Sequence, residues 1–387
     1  MRMSSFRELS LFYFSLQGIN LSRTAIKGSL LSSSCTYRRQ VLLKNLHIGE
    51  DLVCDDSRFI GRSGGKYAYS DIALDCSNAV IGGNLSLLNV KAHSAVYLVN
   101  TKIGGDLDAS GSSFKSAFAA NKHGDSDAFT ANSVQVAGDI TLGSQLSAIG
   151  TINLDQATCG GSIELRDGST LVAMPNSDDA EDFCFTAADA RIGRSLTFDD
   201  KFIASGSINV SATHIGGNFE AIGSHVTQST AYITKPAAAA IEAGNTIIGG
   251  DVRFDRISVV GRVNFERADV GGDFSCDDGQ LSTCHKQGPY HSLTLGLMTV
   301  KGGLSLAGLH SKGSLLLNNT RISGDVSLSR AAVVASKNLA GNVRLSAVNL
   351  ESMSIGGSLV MNRLSSEGSV SVLFAIIRQS TVHRRYI

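Results

Sequence analysis

A short stretch recurs throughout this chain: an apolar residue, two glycines, a small polar residue and a second apolar one. The clearest copies are Ile81-Gly82-Gly83-Asn84-Leu85, Ile103-Gly104-Gly105-Asp106-Leu107, Ile215-Gly216-Gly217-Asn218-Phe219, Ile248-Gly249-Gly250-Asp251-Val252 and Val270-Gly271-Gly272-Asp273-Phe274. Repetition at a fixed interval restricts the fold more than any other feature, because each repeat must bury its apolar face against its neighbours. With the second glycine as position 0, one series runs Gly28, Gly83, Gly138, Arg194, Gly250, Gly302 and Gly357, in steps of 55, 55, 56, 56, 52 and 55 residues. A second series, Glu50, Gly105, Gly161, Gly217, Gly272 and Gly324, follows the first by 22 or 23 residues. Weaker copies at Gly150, Gly206, Gly261 and Gly313 fall near the midpoint, so the underlying unit is 11 residues.

Within a unit the apolar residues stand at +2, +4, +7 and +9. The unit from Gly261 has Val263, Phe265, Ala268 and Val270, and the unit ending at Gly357 has Val348, Leu350, Met353 and Ile355. Pairs two apart are short strands with one buried face. The step of three between +4 and +7, and the gap across Gly-Gly, are corners. Glycine suits a corner because it takes positive φ without a Cβ penalty, and this predicts positive φ at several of Gly83, Gly105, Gly217, Gly250 and Gly272. Helical spacing is not sustained in the repeats. The expected fold is all-β: a right-handed parallel β-helix with coils of about 22 residues and a 55-residue superrepeat carrying one loop insertion. Leu85, Leu107, Ile163, Phe219, Val252, Phe274 and Val326, all at +2, should be buried in stacked rows.

Composition agrees. There are 41 glycines, 3 prolines and no tryptophan in 387 residues. Lys plus Arg equals Asp plus Glu at 34 each, so no bulk field points to nucleic acid. The seven cysteines form no CxxC, and Cys54, Cys76, Cys159 and Cys276 fall on inward positions. That pattern suits a reducing compartment and gives a cytoplasmic expectation.

Residues 1–16 precede the first clear unit and read as an N-terminal cap, with Phe6, Leu9, Phe12, Phe14 and Leu16 on one apolar face. Their apolar run is short, follows Glu8 and leads to no small-residue cleavage site, which argues against a signal peptide. The solenoid is expected over 17–379 and a basic tail over 380–387, with end-to-end self-association open at the last coil. The pattern breaks at one phase of each superrepeat: Asp55–Ser70, Ser110–Ser126, Arg166–Asp182, Ile222–Ala238 and Asp277–Tyr290, while the last superrepeat nearly lacks the break, around Val334–Gly341. All should leave the coils on one edge, where solenoids carry their binding surfaces. Arg58, Arg62, Tyr67, Asp178, Asp179 and Tyr290 are the candidate binding residues there.

The units Phe185–Phe198 (FTAADARIGRSLTF), Gly206–Val210 (GSINV) and Ile215–Gly217 (IGG) resemble those of a bacterial repeat family commonly labelled "membrane-associated oxidoreductase". The resemblance covers Gln17 to about Gln379. It implies a solenoid, and its label implies redox activity and membrane association, but it carries over no catalytic residue because no cofactor motif accompanies it. In general form the coils also look like distant relatives of pentapeptide-repeat and bactofilin solenoids.

Motifs for chemistry are sparse. The chain has no G-x-G-x-x-G, no G-x-x-x-x-G-K-[ST] and no H-E-x-x-H, and no cofactor is expected. Asp277, Asp278, Cys284, His285 and His291 crowd one insertion with ligand types that suit zinc, but at no familiar zinc spacing; the bland reading is a polar loop. Glu164 and Glu220 lie at outward +3 positions where a glycoside-cleaving β-helix would hold carboxylates, without a recurring basic partner; the bland reading is an ordinary polar surface. No run approaches the 20 or so apolar residues of a membrane span, while peripheral membrane contact through the N-terminal segment or the Arg378, Arg384, Arg385 tail stays open. The leading functional expectation is a non-catalytic scaffold whose insertion edge holds a protein partner. The alternatives are an oxidoreductase, as the family label implies, and a carbohydrate-active β-helix.

Overall fold

The computed structural model describes residues 5–61, 72–116, 126–174, 182–199, 201–228, 239–283, 291–335 and 346–378. The chain divides into two units, Met1–Arg194 and Ser195–Ile387. Each is a parallel β-helix. Among the described residues there is no helix, and every element is a strand of two to four residues.

One coil shows the plan. Val80–Ile81 lies on a first face, Leu85–Ser86 on a second, Lys91–Ala92 on a third and Ala95–Tyr97 on a fourth, and Lys102–Ile103 then opens the next coil on the first face. Each strand pairs in parallel with its equivalent one coil away. Among the described residues of Met1–Arg194 the first face has eight strands and the others seven each; among those of Ser195–Ile387 every face has seven.

Register puts like positions on top of one another. In the first unit Leu52, Leu85, Leu107, Ile140 and Ile163 form one row. In the second, Leu196, Phe219, Val252, Phe274, Leu304, Val326 and Leu359 form another. The seven +2 residues named from the sequence are all buried. Neighbouring rows interlock: Phe254 meets Phe219 at 5.0 Å between ring centroids, and Phe265 meets Phe274 at 5.3 Å, both edge-on, as aromatic quadrupoles prefer. Around Phe198, Phe202 and Phe219 these side chains leave no room for a water molecule.

The strands begin earlier than the repeat count suggests. Ser5–Phe6, Leu9–Phe12 and Ser15–Leu16 pair with Ala25–Ile26, Leu30–Ser33 and Thr36–Tyr37, so the segment expected as a cap is itself laid down as a coil.

The corners correct the glycine expectation. The chain does bend at each Gly-Gly, but none of Gly83, Gly105, Gly217, Gly250 or Gly272 has positive φ. Left-handed backbone occurs instead at +6, at Asn78, Asn89 and Asn100 in the first unit and Asn245, Arg256 and Arg267 in the second, with φ between 54° and 59°. Asn tolerates this region, and Arg does so at a cost of about 1–2 kcal/mol. The surrounding bonds hold it there: Arg256 N–H reaches Asp277 O at 2.8 Å, and Ile257 N–H closes the turn on Phe254 O at 3.2 Å.

The paired glycines answer to crowding between coils. A Cβ on Gly104 would run into the carbonyl of Gly82, and one on Gly271 into that of Gly249. A Cβ on Gly105 would strike Asn84 Oδ1, and one on Gly272 would strike Asp251 Oδ1. Those oxygens belong to a ladder built by the polar residue at +1. Asp51 Oδ1 accepts the Asn84 N–H at 2.7 Å, Asn84 Oδ1 that of Asp106 at 2.8 Å, and Asp106 Oδ1 that of Asp139 at 2.8 Å. In the second unit Asn218, Asp251 and Asp273 do the same for Asp251, Asp273 and Gly303.

Candidate functional site

The third and fourth faces meet at a corner made with short or long connections. From Gly150 onward one glycine joins the strands in alternate coils: Gly150, Gly206, Gly261, Gly313 and Gly368, with φ between 114° and 152°. The first four are the weaker motif copies, and they carry the positive φ expected of the Gly-Gly pairs. Earlier coils close the corner with residues 17–18, 38–40 and 93–94. In the other coils the third-face strand ends at Phe59, Lys115, Val172, Thr227, Ser282 or Val334, and the fourth-face strand resumes at Ile72, Asp127, Phe183, Ala239, His291 or Ser346. The pattern breaks therefore share one corner in each unit, as expected. Each begins with a turn and a third-face strand of two or three residues that belong to the regular coil, so the expected bounds begin too early. The last superrepeat also departs from expectation: its strands stop at Val334 and resume at Ser346, an interval like the others.

Of the residues singled out from the sequence, Arg62, Tyr67, Asp178, Asp179, Cys284, His285 and Tyr290 lie outside the described residues. Arg58 is exposed on the third face, and its Nε donates to His93 Nε2 at 3.2 Å. His291 opens a fourth-face strand and is half-buried. Its imidazole is held below the ordinary value, first by burial and then by the Arg262 charge. Among the described residues no three His, Cys, Asp or Glu side chains converge to hold a metal ion.

Glu164 and Glu220 have basic neighbours that their spacing did not reveal. Arg166 Nη2 lies 2.7 Å from Glu164 Oε1. Arg253 bridges two acids, with Nη1 3.5 Å from Glu220 Oε1 and Nη2 2.8 Å from Asp251 Oδ2. Glu220 stacks on Arg253 in register, with uncharged Thr197 and Ser275 on either side. The Asp251 carboxyl is held below its ordinary range, chiefly by the Asp273 N–H and then by Arg253. Partly exposed ion pairs of this kind contribute about 0–1 kcal/mol.

The third face of the first unit holds a grouping the sequence reading missed. Thr36, Arg58, Lys91 and Ser113 stack as one outward column. Arg38, Ile60, His93 and Lys115 follow as the next outward positions of the same strands. Arg38, Arg58, Lys91, His93 and Lys115 are all exposed. The signal was available at +8 and +10 of successive units, but it lies in no single stretch. It appears only when residues 22 and 33 apart are superposed.

All six described cysteines are buried. Burial pushes the Cys159 thiol up to about 11 and that of Cys184 up to about 12. Comparison with family models, with curated proteins and with solved structures finds no match.

Proposed function

We propose that this chain is a non-catalytic solenoid scaffold that binds a protein partner through the segments inserted between its third and fourth faces. One observation carries the reading. Other coils close that corner with a single glycine, from Gly150 onward, or with two or three residues before it, so the longer connections are not required by the coil geometry. Long surface connections cost little stability, which leaves them available for recognition. Their sequences differ in charge: residues 62–69 include Arg62, Lys66, Tyr67 and Tyr69, whereas residues 178–182 include Asp178, Asp179, Glu181 and Asp182. Distinct surfaces in succession suit a protein partner better than a uniform polymer.

The test replaces each segment in turn with one glycine and compares the partners captured by each variant, identified by mass spectrometry. At least one partner held by the parent chain should be lost from a variant whose circular dichroism is unchanged. Retention of every captured partner by every variant contradicts the reading. A flavin or haem band in the purified parent protein would favour the oxidoreductase reading instead.

A further inference from the structure

We propose that the third face of the Met1–Arg194 unit binds a linear polyuronate, an acidic polysaccharide lying along the stacking axis across Arg38, Arg58, Lys91, His93 and Lys115. This site lies on the strands of a face, next to the inserted segments that follow Phe59 and Lys115 but not within them. Four successive coils contribute five cationic or imidazole side chains, in two columns, and no outward acid. The nearest acids in sequence, Asp55 and Asp56, are engaged elsewhere. Asp55 Oδ1 accepts the Ser86 hydroxyl at 2.6 Å and the Leu88 N–H at 3.0 Å, and Asp56 Oδ1 accepts the Asn89 amide at 3.1 Å. Among the described residues Arg38, Arg58, Lys91 and Lys115 form no ion pair. Arg58 instead donates to the imidazole of His93. His93 is held below its ordinary value by partial burial and by Arg58 and Lys115. Like charges gathered without counter-charges raise the local potential and favour an anionic partner.

Spacing selects the kind of anion. Neighbouring strands lie about 4.8 Å apart, so Arg58 and Lys91 in one column, and His93 and Lys115 in the next, are basic pairs at an interval close to the sugar-ring repeat of a polyuronate, which carries one carboxylate per ring. Arginine and lysine both pair with carboxylate. Thr36 and Ser113 flank the cations in the first column and offer hydroxyls to sugar hydroxyls. A lipid surface fits less well, because Ile60 is the lone apolar residue of the two columns and is half-buried.

Fluorescence polarisation with a fluorescein-labelled oligogalacturonate and the full chain tests this. Binding should weaken as salt is raised, and it should vanish when the probe is fully methyl-esterified. R58A/K91A should weaken it at least about tenfold, equivalent to about 1.4 kcal/mol. R321A/R330A, on the other unit, should leave it unchanged. Proton NMR of His93 should show its titration moving to higher pH when the probe binds, because a neighbouring anion favours the imidazolium. Should R58A/K91A fail to fold, R58Q alone reads the same loss. No binding, binding indifferent to Arg58 and Lys91, or tighter binding of phosphatidylserine vesicles or single-stranded DNA overturns the proposal.

Discussion

Asp251 shows how one side chain serves both the corner and the surface. Its Oδ1 accepts the Asp273 N–H at 2.9 Å while its Oδ2 faces Arg253, and its carboxyl is held below the ordinary 3.8. The unfolded carboxyl therefore takes up a proton at higher pH than the folded one. The stability it contributes is complete above about pH 4 and is lost as pH falls through the folded value. Asp251→Asn keeps an Oδ1 acceptor, as Asn218 does one rung below. Thermal melts should show a somewhat lower Tm at pH 7 and a shallower loss between about pH 4 and pH 2; an unchanged acid slope contradicts this role. The cysteines make a second residue-scale case. A thiolate is the reactive form, and burial raises the thiols at Cys54, Cys76, Cys159, Cys184 and Cys276. With Cys284→Ser in place, native protein should not react with Ellman's reagent until denaturant is added. Rapid reaction of the folded chain would show that these side chains do not point inward.

At the scale of the element, row and corner make separable contributions. Phe274 lies in a stacked row between Val252 and Leu304 and is 1% exposed. Phe274→Asp removes its packing and buries a charge, so denaturant melts should show a loss of at least about 3 kcal/mol; an unchanged midpoint contradicts the phase of the row. Gly272→Ala should cost about 1–3 kcal/mol because its Cβ meets Asp251 Oδ1. Adding Asp251→Gly should recover part of that cost, which a double-mutant cycle measures. Purely additive effects would separate the glycine from the ladder. The rows were legible in the sequence because burial follows the period of two through Leu85, Phe219 and Phe274. The role of Gly-Gly was not legible, because its cause is a backbone carbonyl or a side chain 21 to 33 positions earlier. The left-handed position at +6 was hidden for a related reason. Asn marks it at Asn78 and Asn89, but Arg256 and Leu297 also occupy it, held by coil-to-coil bonds rather than by local preference. The basic columns of the third face needed the register before they could be seen at all.

For the whole molecule, the claim is that folding is complete without the inserted segments, which leaves them to function. The second unit offers its own template. Lys312 is joined to Ser314 by Gly313 with φ 152°, one coil beyond the connection from Ser282 to His291. Third-face Ser282 aligns with Lys312, and fourth-face Leu293 aligns with Leu315. The deciding measurement is thermal unfolding of the full chain in which residues 283–291 are replaced by one glycine, joining Ser282 to Ser292. The account predicts an unchanged β-type far-UV spectrum and a cooperative melt with Tm within about 4 °C of the parent, the shift expected for about 1 kcal/mol or less. Loss of the cooperative transition, or a fall of more than about 15 °C, would show that the inserted segment holds the coils together, and would contradict the account.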